Sequence, residues 1–225
     1  MHGNNRQKHD LKVGTYFDKA AETFDTFYDK KRNRFMQWID IRFRSDMFER
    51  FRITFQALGS LQDKTLIDIG CGSGPYVAEA VRRGCLKVTG LDMASGMLDL
   101  AKHRVESLGI GNKCNFILGT FPENAPPDKY DCAIVMGVID YIADPDSFLS
   151  KLASHVTSLA VLSFPSKHWF RTPFRKFRYW LKRCPVYFYD SDQIYNLLTK
   201  AGFFKVTVQK IPGAGMDYVA VGHRS

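Results

Sequence analysis

The stretch Leu66-Ile-Asp-Ile-Gly-Cys-Gly-Ser-Gly74 leaves this chain few folds to choose from. An apolar run carries an acid, then meets glycines at every second position, Pro75 and a helical pattern. A second apolar run, Lys87-Val-Thr-Gly-Leu91, ends in Asp92. Strand, tight turn, helix and acid-tipped strand make a mononucleotide-binding βαβ unit. A dinucleotide site would space its glycines as G-x-G-x-x-G, so that backbone N–H groups approach a pyrophosphate. Here the glycines are Gly70, Gly72 and Gly74, with Pro75 at the third fingerprint position. Asp68 stands two residues before the first of them. A carboxylate there repels a pyrophosphate and suits a cationic ligand bearing an ammonium and a sulfonium. Asp92 is placed to accept both hydroxyls of a ribose.

The segments around this unit alternate. Strands are expected at Thr65–Ile69, Lys87–Leu91, Cys114–Leu118, Tyr130–Met136 and Leu159–Phe164. Helices are expected at Pro75–Arg83, at Ser95–Leu108, from about Asp144, and at Ser191–Ala201. Phe204–Lys210 and Asp217–Gly222 read as a closing hairpin across Pro212-Gly-Ala-Gly215. This is an α/β, doubly wound, mostly parallel sheet with helices on both faces. Ahead of it, residues 1–12 read as a loose tail, 15–30 as a short amphipathic helix and 31–57 as a long one. Phe35, Ile39, Phe43, Met47, Phe51 and Phe55 recur every fourth residue along the long helix, with arginines around them.

The two acids around a glycine turn resemble the class I, Rossmann-like S-adenosylmethionine-dependent methyltransferases, and the likeness runs from about Tyr16 to the C-terminus. It implies a seven-stranded sheet with one antiparallel strand from the C-terminal hairpin. It divides the chain into an N-terminal tail with lid helices (1–60) and a donor-binding core (61–225). S-adenosyl-L-methionine is the cofactor it implies. Its binding positions carry over to Asp68, Gly70, Cys71, Gly72, Gly74 and Asp92, to Met93 against adenine, and to Thr120, Phe121 and Met136. Relatives often place an acid after the third strand to accept from the adenine amino group. Gly119 stands there instead, so that contact falls to Thr120 and backbone groups. Tyr16-Phe17-Asp18 and Tyr28-Asp29 resemble the lid helix of small-molecule methyltransferases, or else simply pack a helix on the core.

After the fourth strand, Asp140 is the candidate general base and Tyr141 a wall of the pocket or a second catalytic group. His168, after the fifth strand, is a second candidate base. The bland readings are a capping Asp and a surface His. His103 and His155 read as structural.

The net charge is +9, and no acid occurs between Ser147 and Tyr189. Within that stretch the insert 165–190 interleaves cations with aromatics. It fits a cover helix, a cap over a large apolar acceptor, or contact of residues 167–189 with an anionic membrane surface. RNA is the weaker partner, since no separate RNA-binding module is present. The expected substrate is a small or lipid-like, anionic molecule methylated on oxygen. The alternatives are a non-catalytic partner subunit and an RNA methyltransferase. Five cysteines lack disulfide or metal spacing, and the six histidines are scattered, so reduced thiols, a cytoplasmic setting and no metal are expected. The polar N-terminus lacks an apolar signal core, and no apolar run reaches the roughly 18–20 residues of a membrane span.

Overall fold

The structure, a computed structural model, describes residues 47–166, 186–211 and 217–224. The proposed lid helix at 15–30, most of the helix at 31–57, Tyr16, His168, most of the insert and the Pro212–Gly215 turn lie outside the described residues. Residues 47–58 form α1. Then come β1 (Thr65–Ile69), α2 (Pro75–Arg82), β2 (Lys87–Asp92), α3 (Ser95–Ser107), β3 (Cys114–Leu118) and β4 (Tyr130–Val135). They are followed by α4 (Pro145–His155), β5 (Val156–Phe164), α5 (Ser191–Lys200), β6 (Lys205–Lys210) and β7 (Tyr218–His223).

The seven strands are ordered β3-β2-β1-β4-β5-β7-β6. Only β7 runs antiparallel, hydrogen-bonded to β5 on one side and β6 on the other. The expected doubly wound sheet with one antiparallel hairpin strand is therefore what forms. Its order reverses between β1 and β4, which opens a crevice beyond their carboxyl ends.

Period-2 alternation sorts the core into two layers. Ile67, Ile69, Ala133, Val135 and Leu162 face α4 and α5, meeting Phe148, Leu149, Leu152, Ile194 and Leu198. Leu66, Val88, Cys132, Ile134 and Val161 face the other way, meeting Val77 and Val81 of α2, Leu98 and Val105 of α3, and Phe55 and Leu58 of α1. Asp68 shares the pleat face of Leu66, so the alternation that builds the core also turns a carboxylate inward. It is 1% exposed.

The structure adds detail to the long helix and corrects one strand boundary. The fourfold stripe of α1 does not all reach the core: Phe55 is buried, Phe51 half-buried, and Met47 exposed. Four residues turn a helix by about 400°, so a strict fourfold stripe drifts about 40° per step. Ile53, Thr54 and Leu58 complete the buried face beside Phe55. In addition, β5 starts at Val156, three residues before the expected Leu159. Its polar opening, Thr157-Ser158, hides the strand because the pairing is bulged: Tyr130 opposes Val156 while Cys132 opposes Leu159. Thr157 Oγ1 donates to the Tyr130 carbonyl across that bulge at 3.3 Å.

Candidate functional site

Backbone geometry explains each glycine of the turn after β1. Gly70, Gly72 and Gly74 have φ of 73°, 52° and 75°, where a side chain is strained. Their surroundings differ. A Cβ on Gly70 would fall within the van der Waals envelope of Val138 Cγ2, and one on Gly74 would press on Ala101 at 3.0 Å. A Cβ on Gly72 would meet nothing within 4 Å. Gly70 and Gly74 are thus required for packing, whereas Gly72 keeps an open face.

The turn is held from β2. Gly70 N–H donates to the Leu91 carbonyl at 2.7 Å, and Arg104 Nε donates to the Ser73 carbonyl at 2.8 Å. Asp92 Oδ2 accepts from Gly72 N at 2.8 Å, and Oδ1 accepts from Ala94 N at 2.9 Å. Both oxygens of Asp92 thus hold backbone N–H groups of the two loops that frame the crevice. Gly119 N in turn donates to the Asp92 carbonyl at 2.9 Å, which joins the end of β3 to the same cluster.

Asp68 is the electrostatic centre. Its Oδ2 is buried and has no hydrogen-bond partner. Burial, with the nearby Asp92 charge as the second cause, pushes its pKa up to about 8. A buried carboxyl with one oxygen left without a hydrogen bond, two residues ahead of a glycine turn with an open face, is chemically matched to a cation carrying N–H donors. The residues present therefore fit the amino-acid end of S-adenosylmethionine.

Other candidates fall around this centre. Met93 is half-buried at the entry to α3. Met136 is half-buried at the end of β4 and its Sδ accepts from Thr54 Oγ1 at 3.8 Å. Asp140 and Tyr141 lie in a single 3₁₀ turn, Ile139–Tyr141, at the mouth of β4, both partly exposed. The Asp140 carbonyl accepts from Tyr187 N at 2.9 Å. Thr120 lies at the mouth of β3, its N–H donating to Asn124 Oδ1 at 3.0 Å.

The structure moves two side chains out of the site. Phe121 is 5% exposed, its ring set edge-on to Phe148 at 5.1 Å and to His155 at 5.6 Å. Only its backbone is left to line a pocket. The Cys71 thiol is buried in the second core layer, and that burial, reinforced by Asp68 and Asp92, raises its pKa and keeps it protonated. Cys71 contributes backbone, not sulfur chemistry. His155, with Nδ1 2.9 Å from the Lys151 carbonyl, is a packed core residue.

Sequence reasoning missed a cation. Arg50 of α1 reaches the same mouth, with Nη1 3.9 Å from where a Cβ on Gly137 would stand. Its Nη2 pairs with Asp217 Oδ2 at 3.4 Å, while Nε is buried without a partner. Asp217 Oδ1 also accepts from Ser166 N at 3.2 Å. Ser166 bridges to Tyr189, whose N–H donates to the Pro165 carbonyl at 2.9 Å. Both roots of the insert are thereby pinned at the site's rim. In the sequence Arg50 is one of many arginines around an aromatic stripe, and its partner is 167 positions away.

Comparison with known proteins agrees with this geometry. A family model described as "Methyltransferase domain" matches residues 43–208. The ubiquinone biosynthesis O-methyltransferases of Serratia proteamaculans and Yersinia enterocolitica are 34% and 33% identical over 135 residues, covering 59% of this chain and 52% of each relative. The chain thus spans about half the length of the curated relatives it matches. Magnesium protoporphyrin IX methyltransferase from Synechocystis PCC 6803, solved with bound SAH, superposes with a TM-score of 0.72 at 22% identity, covering 96% of this chain and 100% of that one. An S-adenosylmethionine-dependent methyltransferase from Mesorhizobium loti superposes at 0.66 with 17% identity, covering 80% and 98%. Fold, glycine turn and family match converge: the chain belongs to the class I, S-adenosylmethionine-dependent methyltransferases.

Proposed function

We propose that this chain transfers a methyl group from S-adenosylmethionine to an oxygen of a small or lipid-like acceptor. The observation that carries the reading is the buried Asp68 carboxyl, its Oδ2 without a hydrogen-bond partner, ahead of a glycine turn in which Gly72 keeps an open face. The two ubiquinone-pathway relatives, named as O-methyltransferases, support oxygen as the acceptor atom.

In this reading Asp68 takes the donor's ammonium and Arg50 its carboxylate, a pairing of opposite charges at both ends of one amino acid. Asp92 accepts the ribose hydroxyls. Met93 and the backbone of Thr120 and Phe121 flank the adenine. The backbone of Gly70, Cys71, Gly72, Gly74 and Met136 lines the remainder, and Tyr16 belongs to a lid. The bound donor supplies an electrophilic methyl on sulfonium sulfur: the S–C bond breaks as the C–O bond forms, and sulfur leaves neutral. The protein's task is then to align, to exclude water and to take the acceptor's proton. Asp140 at the mouth of β4 is the candidate proton acceptor, with Tyr141 beside it and His168 as the alternative.

The basic aromatic insert, rooted at this rim through Ser166 and Tyr189, favours an apolar, anionic acceptor and peripheral contact of 167–189 with membrane on the cytoplasmic side. Among the described residues no helix is long and apolar enough to cross a membrane. The test is turnover of labelled donor against a panel of phenols, catechols, quinols and carboxylates, read as labelled product and S-adenosylhomocysteine. O-methyl product supports the proposal. Donor binding with no turnover across the panel points to a non-catalytic subunit, and label in RNA points to the nucleic-acid reading. Flotation with anionic liposomes, lost on deleting 167–189, tests the membrane contact.

A further inference from the structure

Asp217 is a buried acid with no part in the chemistry described so far. It directly precedes β7 and is 7% exposed. Its backbone closes the hairpin, the carbonyl accepting from Ile211 N at 2.8 Å. Its carboxylate oxygens go two ways. Oδ1 accepts from Ser166 N at 3.2 Å, and Oδ2 pairs with Arg50 Nη2 at 3.4 Å. The Arg50 side chain is 24% exposed. Glu49, beside it on α1, is taken by Arg52 at 2.6 Å. Among the described residues the countercharge of Arg50 is therefore Asp217.

Two effects of this pair oppose each other. A neutralising carboxylate weakens the pull of Arg50 on a second anion. The same carboxylate fixes the plane of the guanidinium, whose donors sit in a rigid fork. Bonding through Nη2 leaves Nη1 and Nε for other acceptors. Nη1 stands 3.9 Å from where a Cβ on Gly137 would be, at the mouth of β4, and Nε is buried without a partner. A mostly buried cation that loses its partner is strongly disfavoured in place and turns toward water. Holding the fork at the mouth thus outweighs the charge it neutralises.

We propose that Asp217 is a positioning residue: it holds the Arg50 guanidinium at the mouth of β4, with the remaining N–H groups set to receive the donor's carboxylate. An acid on the closing hairpin thereby acts on the donor through a helix at the other end of the chain. The inference rests on the reading of Arg50 given above, and its test separates the two.

Calorimetry with S-adenosylhomocysteine and with S-adenosyl-3-thiopropylamine, which lacks only the carboxylate, provides the measurement. The wild type should prefer the carboxylate form by about tenfold or more, the size of one charge-assisted contact. Asp217→Asn should remove most of that preference while binding of the thiopropylamine stays within about twofold of wild type. Arg50→Ala should do the same, and the double variant should be no worse than Arg50→Ala, since both act through one contact. Asp217→Glu, which keeps the charge but displaces it, should give an intermediate preference. Equal weakening of both ligands by Asp217→Asn would reduce the residue to a part of the fold and overturn the inference. Tighter S-adenosylhomocysteine binding in that variant would make Asp217 a competitor of the donor and overturn it too. Should the neutral variant not fold, Asp217→Glu decides: a preference equal to that of the wild type overturns the inference. An unchanged preference in Arg50→Ala would remove the reading of Arg50, and failure of the wild type to bind either nucleoside would remove the donor reading itself; this inference falls with either.

Discussion

Asp92 Oδ2 accepts the backbone N–H of Gly72 at 2.8 Å, so the acid closing β2 shapes the glycine turn that follows β1. Its other oxygen holds Ala94 N at the entry to α3. Replacing it touches folding and binding together. Asp92→Ala should cost on the order of 2–3 kcal/mol of stability, as expected for charge-assisted bonds to buried N–H groups. Donor affinity should fall at least tenfold. Thermal unfolding and calorimetry of the same preparation check both effects.

Gly70 and Gly72 adopt similar left-handed backbone but separate packing from binding. Gly70→Ala adds overlap with Val138 to the backbone strain and should lose about 2–4 kcal/mol of stability. Gly72→Ala meets open space, so it should lose only about 1–2 kcal/mol, from the backbone alone. Its methyl group nevertheless stands where the donor must approach, and affinity should drop by more than tenfold. Equal affinity losses at the two positions would contradict this division.

Asp68 makes the ligand-free protein pH-sensitive in a defined direction. Its folded pKa, about 8, lies above that of an unfolded aspartate. Between those two values the folded state binds the extra proton. The contribution of Asp68 is thus fully present at low pH and is lost as pH rises toward about 8, by at most about 1.4 kcal/mol per pH unit. Asp68→Asn should flatten that part of the stability profile and raise the stability of the unliganded protein at pH 8. Donor binding brings an ammonium beside the group and favours its charged form. Affinity should therefore rise from pH 6 to pH 8 with release of a proton, and the variant should show neither effect.

Asp140 is accessible at the mouth of β4, and its backbone is fixed by Tyr187 N. If it takes the acceptor's proton, Asp140→Asn should lower kcat by about a hundredfold or more while binding of S-adenosylhomocysteine is unchanged. A parallel loss of product binding would make it a positioning residue. An unchanged kcat would transfer the role to His168.

The frame of the sheet was readable because its signals are local. Cys114–Leu118 matches its strand end to end, and Pro75 and Gly84 bracket α2 through the backbone conformations they permit or forbid. Asp68 and Asp92 were identifiable because a carboxylate at a strand tip has few other reasons to be there. The remainder depends on contacts distant in sequence. Arg50 meets Asp217 across the whole domain, and the spacing of Arg50 among its neighbours gives no hint of that. Phe121 sits beside Thr120 at the strand mouth, yet its ring turns into the core between Phe148 and His155. The amphipathic period of α1 indicated a helix, but not how far along it the stripe stays buried, because a fourfold stripe and a 3.6-residue turn diverge over its length.

The most direct measurement is titration calorimetry of the purified chain with S-adenosylhomocysteine at pH 8, alongside NAD and ATP and repeated with Asp68→Asn. Saturable binding of the homocysteine nucleoside alone, weakened at least tenfold in the variant, is the result this account predicts. No heat with that ligand, together with clear binding of NAD or ATP, would contradict it.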